Sequence, residues 1–340
     1  MQRFHCHCGQ ELFFENVQCV QCERTVGFAP ARLAMEALDG DGTTYTLARA
    51  PEAGAWRLCA NYDARGVCNW LVPADEEARY CASCRLDRTI PDLGVPGNIA
   101  LWARTEAAKR RLIYTLLALG LPFAQDDPRA DPPLAFDILA ETPGSHVRTG
   151  HDEGLITLAL AEADEAARNR IREQFGETYR TLLGHLRHEA GHYYFATLVD
   201  GTRWHAPFRA HFGDESADYA AALARHYAAG APAEWTAHHV SAYASAHPHE
   251  DWAETWAHYL HIRDTLETAR AYGLSVADAD ELPETRDRDF ARIVAAWMPV
   301  TVAVNALNRS MGQPDMYPFV LPAPAIAKLQ FVHEVVRAGV

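Results

Sequence analysis

The stretch "HLRHEAGHYYF", residues 185–195, places His188, Glu189 and His192 in one helical run. Residues four apart on a helix share a face one turn apart, so two imidazoles at 188 and 192 can reach one zinc ion at roughly 2 Å. Glu189 stands beside them, placed to take a proton from a water at the metal. His185 is nearly on the same face. However, it precedes His192 by seven residues, about 10.5 Å of rise, which makes it a poor ligand for a metal held between 188 and 192. Two ligands do not complete a zinc site. A third has to come from elsewhere, either a carboxylate or a histidine on a later helix.

A candidate helix lies downstream. "HPHEDWAETWAHYLH", residues 247–261, holds four histidines and three acids in fifteen positions. Pro248 suits a first helical turn, where its missing N–H costs nothing. At about 100° per residue, Glu250, Glu254, His258 and His261 fall on one face, while Trp252, Trp256 and Tyr259 fall on the opposite one. The polar stripe is therefore expected to lie against the metal helix and the aromatic face to pack elsewhere. Glu250 competes for the third position with His247 and His249, which flank Pro248, because imidazole also suits zinc. Asp251 has a shorter reach and lies off the stripe. The plain alternative for Glu250 is a carboxylate favoured at a helix N-terminus.

The cysteines divide the chain. All eight, namely Cys6, Cys8, Cys19, Cys22, Cys59, Cys68, Cys81 and Cys84, lie in the first 84 of 340 residues, and fifteen of the seventeen histidines follow residue 145. The spacings are C-x-C-x10-C-x2-C and C-x8-C-x12-C-x2-C. In a reducing compartment, close cysteine pairs read as metal ligands rather than disulfides, and four thiolates make a closed structural zinc site. The expected organisation is a zinc ribbon at 1–30, a second cysteine-rich zinc module at 31–94 and a body at 95–340. The segment "IPDLGVPGN" (90–98) serves as the linker.

The body reads as α+β and mainly helical. "IALWARTEAAKRRLIYTLLALG" is a helix closed by Gly120 and Pro122, "LAFDILA" and "GLITLAL" are strands, and helices dominate from "EADEAARNRIREQFG" onward. A net charge of −14 disfavours nucleic acid or an anionic membrane as partner. The N-terminus lacks an apolar signal core and no long unbroken apolar run appears, so a cytoplasmic protein is expected.

Together, His-Glu-x-x-His followed by Glu-x-x-Ala-Glu resembles the gluzincin pattern. The wider sequence resembles the zinc-binding metallopeptidases that carry an N-terminal zinc-ribbon region. The segments "CRLDRTIPDLG", "GHDEGLITLALAEAD", "RHEAGHYY" and "SAYASAHPHEDWAETWAHYLH" carry that likeness. A metzincin site is excluded, since it needs Gly at 195 and His at 198, where this chain has Phe195 and Leu198.

The resemblance implies a zincin-like domain with a small β-sheet. It also implies one catalytic zinc on His188, His192 and Glu250 in addition to two structural zincs. Glu189 becomes the general base, Glu254 orients a histidine ligand, and Tyr243 stabilises an oxyanion. The implied partner is a peptide or protein substrate, and the zinc modules offer a surface for a protein partner. Two other functions fit the same residues: a catalytically silent zinc-binding adaptor, and a zinc hydrolase of non-peptide amides. Elsewhere, His151, Arg209 and His211 read as loop or structural residues, while Asn308 and Arg309 are weaker candidates for holding a substrate carboxylate.

Overall fold

A computed structural model of the chain describes residues 1–63, 65–142, 144–168, 181–274 and 290–339. The helical reading of "EADEAARNRIREQFG" falls largely on 169–180, outside the described residues.

The N-terminal region contains a short hairpin, β1 (Phe4–His5) with β2 (Glu11–Leu12), and a five-stranded antiparallel sheet. The sheet runs in order through β3 (Val26–Ala29), β4 (Ala34–Gly40), β5 (Tyr45–Leu47), β6 (Ala50–Leu58) and β7 (Leu71–Pro73). The sheet crosses the boundary expected at residue 30, because β3 pairs with β4 from Val26↔Ala37 to Ala29↔Ala34. A second crossing follows. β8 (Asp87–Thr89) lies in the cysteine-rich region yet pairs in parallel with β9 (Ala135–Leu139), the "LAFDILA" strand of the body. The body's sheet is ordered β10 (Gly150–Asp152), β11 (Leu155–Ala159), β9, β8, with β10 as an antiparallel edge.

Helix α1 (Asn98–Leu119) joins the two regions. Gly120 ends it in the left-handed conformation, φ 68°, and its N–H caps the carbonyls of Leu116 and Leu117. A side chain would be strained there, which is why glycine closes the helix. Tyr114 of α1 packs edge-on against Phe14 and Phe28 of the cysteine-rich region, at 5.6 and 5.8 Å between ring centres. Apolar residues from Phe4 to Val336 form one continuous core. Burial of that apolar surface, rather than a linker, joins ribbon to body.

The longer helices of the body that follow among the described residues are α2 (Leu182–Tyr194), α3 (His205–Phe212), α4 (Tyr219–Ala229), α5 (Pro248–Ala271), α6 (Phe290–Ser310) and α7 (Ala323–Ala338). Among the described residues, α6 alone is long and apolar enough to cross a membrane by length and composition. It carries Pro299 and turns Ile293, Ala296, Trp297 and Val300 into the core.

Candidate metal centre

Thr181 caps α2, its hydroxyl accepting from the Gly184 N–H at 2.9 Å. Its "HEAGH" turn then crosses α5 at two small residues. A Cβ on Gly191 would lie 2.8 Å from the Ala253 Cα and 3.1 Å from the Trp256 Cβ, closer than packed atoms sit. The absence of a side chain at 191 lets the helices approach, and the Trp252 indole N–H donates to the Gly191 carbonyl at 2.7 Å. The aromatic face of α5 therefore does not pack elsewhere, as its position on the helix suggested. Trp252 and Trp256 both lie on α2, with Trp256 stacked on Tyr194 at 4.6 Å. Because the crossing point is Ala253, between the two stripes, α2 meets both.

The crossing brings His188, His192 and Glu250 together, with one ligand atom of each within 4.8 Å of the others. His188 Nε2 and His192 Nε2 are 3.2 Å apart, and Glu250 Oε2 lies 3.0 and 3.7 Å from them. Nitrogen and oxygen donors about 2.0–2.1 Å from a tetrahedral zinc stand roughly 3.3–3.4 Å apart, so the set fits the ion. Glu250 Oε2 is also buried with no aligned hydrogen-bond donor, although Glu250 is only 1% exposed. A buried carboxylate oxygen with no aligned donor is costly unless a cation completes it. Burial opposes charge on both histidines. Even so, Glu250 and Glu254 push the His188 pKa well up, while the His192 pKa is lowered by burial and by His188.

Around the donors, Glu254 Oε1 accepts from His188 Nδ1 at 2.8 Å, and the Ser241 hydroxyl donates to Glu254 Oε2 at 2.6 Å. That fixes the tautomer in which Nε2 faces the donor set. Glu189 does not join the set. Burial would raise its pKa, but His185 above all, with His188 and His192, holds it near 2, an ionised carboxylate. Tyr243 opens the turn before α5, its ring centre 5.9 Å from that of His188, and burial raises its pKa.

The other candidate residues stand outside the donor set. His247 caps α5 and its Nε2 contacts the Ala217 carbonyl at 3.1 Å, and His249 sits edge-on to Phe195 at 4.7 Å. Asp251 pairs with buried Lys328 at 2.5 Å. His258 hydrogen-bonds Tyr317, and His261 meets Arg187. Arg209 pairs with Glu215, Arg309 with Asp315, and His151 lies in edge strand β10.

Two residues that sequence reading missed do touch the site. The Tyr219 hydroxyl donates to Glu250 Oε1 at 2.5 Å. His185, set aside as a ligand, instead contacts Glu189, with Nε2 3.1 Å from Glu189 Oε1. The one local signal for Tyr219 is its place after Asp218, which caps α4.

Both cysteine quartets also converge. Sulfurs about 2.3 Å from a tetrahedral zinc stand roughly 3.8 Å apart. Cys6–Cys22, Cys8–Cys19 and Cys68–Cys81 are 3.5, 3.7 and 3.7 Å apart, far beyond a disulfide's roughly 2.05 Å. In the second quartet, burial pushes the Cys68 and Cys81 thiols well up, so four thiolates there require a cation.

A cysteine-rich ribbon region fused to a helical body with a His, His, Glu donor set defines the class as a zinc-binding protein of mixed α+β fold. The chain belongs to the family described as "Putative zinc-binding metallo-peptidase", whose model matches residues 98–335, and a zinc-ribbon domain model matches residues 3–95. It is 44% identical over 339 residues to uncharacterized proteins of Mycobacterium bovis and Mycobacterium tuberculosis, across 99% of this chain and 95% of theirs. No solved structure matches it.

Proposed function

We propose that the chain is a gluzincin-type zinc metallopeptidase that hydrolyses peptide bonds with Glu189 as general base. The observation that carries this reading is the buried Glu250 Oε2, without an aligned donor, converging with His188 and His192, with ionised Glu189 next to His188 on the same helix. Zinc at such a donor set supplies a Lewis acid and brings the pKa of a water towards neutrality. Glu189 accepts the proton as the water attacks the carbonyl carbon and returns it to the leaving amine. Tyr243 donates to the oxygen that gains charge. Glu254, braced by Ser241, keeps the His188 proton on Nδ1. The two cysteine quartets hold structural zincs, giving three ions per chain.

The test compares zinc-loaded wild type with Glu189→Gln on a peptide library, and on simple amides and esters. Cleavage of peptides by wild type, reduced by about 10²–10⁴-fold in the variant, supports the reading. Cleavage of non-peptide amides alone would move the activity to another substrate class. No hydrolysis of any class would leave the adaptor function.

A further inference from the structure

His185 lies one helical turn before Glu189, outside the donor set, and its ring is held at both nitrogens. Nδ1 is 2.5 Å from Glu162 Oε2, and Nε2 is 3.1 Å from Glu189 Oε1. Ionised carboxylates only accept hydrogen bonds, so an imidazole bridging two of them donates from both nitrogens and carries both protons. Glu162 belongs to the turn Leu160–Ala163 that leaves β11, and it is 7% exposed. Its other oxygen accepts from the Thr149 hydroxyl at 2.5 Å, and Thr149 Oγ1 accepts from the Ala159 N–H, at the end of β11, at 3.0 Å. Hydrogen bonds therefore run from the body's sheet through Thr149 and Glu162 to His185, whose Nε2 makes an ion-pair contact with Glu189.

A glutamate carboxylate is broad and two-fold about its last torsion, so either oxygen of a free side chain can face the water. We propose that His185, backed by Glu162, is the positioning residue for Glu189. It ties Oε1 to the sheet and leaves Oε2 as the oxygen that takes the proton. This inference rests on the hydrolase reading above. The salt-bridged imidazolium also sets a positive charge behind largely buried Glu189, where charge-assisted bonds are strong. His185 moves no proton to substrate. It acts through the geometry of Glu189, for which small displacements are costly in rate.

The test uses the full-length zinc-loaded protein and the variants His185→Gln, His185→Phe, Glu162→Gln and Glu189→Gln. Zinc content and Tm are measured first: His185→Gln should keep the zinc content of wild type and melt lower, because two buried carboxylates lose their cation. On the best-cleaved library peptide, His185→Phe should lower kcat by about 10–100-fold with KM little changed. His185→Gln, which keeps one N–H near Oε1, should recover part of the loss. Nitrogen-15 NMR of the wild-type ring should show protons on both nitrogens. Glu189→Gln should shift the Nε2 resonance and Glu162→Gln the Nδ1 resonance.

Full kcat in His185→Phe, or a ring carrying one proton and indifferent to both carboxylates, overturns the proposal. If wild type cleaves nothing, the hydrolase reading has failed on its own account. The ring resonances then decide the relay, which stands if each carboxylate variant shifts its own nitrogen and falls if neither does.

Discussion

Gly191 and Ala253 touch where the two metal-bearing helices cross: a Cβ at 191 would lie 2.8 Å from the Ala253 Cα. Both are small for one reason. The histidines of α2 and the glutamate of α5 converge only if the helix backbones nearly meet. Gly191→Ala should therefore force the helices apart, costing about 1–3 kcal/mol as overpacking does. Thermal unfolding should show the loss, and metal analysis should show weaker zinc retention at the histidine site with the cysteine-bound ions kept.

Tyr219→Phe removes the hydroxyl that donates to Glu250 Oε1 and leaves the ring in place. Partners that orient metal ligands are worth about 10–100-fold in affinity, so the variant should bind zinc at the histidine site weaker by that factor. Competition with a chelator of known affinity measures it. An unchanged affinity would remove Tyr219 from the support of Glu250.

Lys109 is wholly buried between Asp87 and Glu106, and Glu106 Oε2 lies 3.7 Å from Cys84 Sγ. One ammonium thus links strand β8, helix α1 and the second cysteine quartet. Lys109→Met leaves two buried carboxylates uncompensated, a loss of about 3–5 kcal/mol for breaking a buried pair. Denaturant unfolding should show it as a lower midpoint.

The two quartets differ in exposure. Cys8 is exposed and Cys22 partly so, whereas all four sulfurs of the second quartet belong to buried residues. A colorimetric chelator should remove the first quartet's ion well before the second's. Cys8→Ala should abolish the fast phase and leave the slow one, and a fast phase surviving in Cys8→Ala would reverse that assignment.

What could be read in the sequence was what local spacing encodes. The turn at 188–192, the acid step from 250 to 254, the strands at 135–139 and 155–159 and the cysteine pairs all announce themselves within a few residues. Contacts with no local period could not be read. β6, "APEAGAWRL", has a poor apolar alternation and is held by its neighbours β5 and β7. His185 resembled a misplaced ligand because its two partners, Glu162 and Glu189, are matched in space, and only one of them is a helical turn away. His258 and His261 share a helical face with Glu250, yet Tyr317 and Arg187 claim them, residues that no periodicity of α5 could foretell.

The central claim is that Glu250 completes a zinc site with His188 and His192. Elemental analysis of gently purified wild type, Glu250→Ala, His249→Ala and Asp251→Ala tests it most directly. Wild type should hold close to three zinc ions per chain, and Glu250→Ala should hold two, with both cysteine sites filled. His249→Ala and Asp251→Ala should keep all three. Three ions retained in Glu250→Ala, with one lost from His249→Ala or Asp251→Ala, would contradict the account.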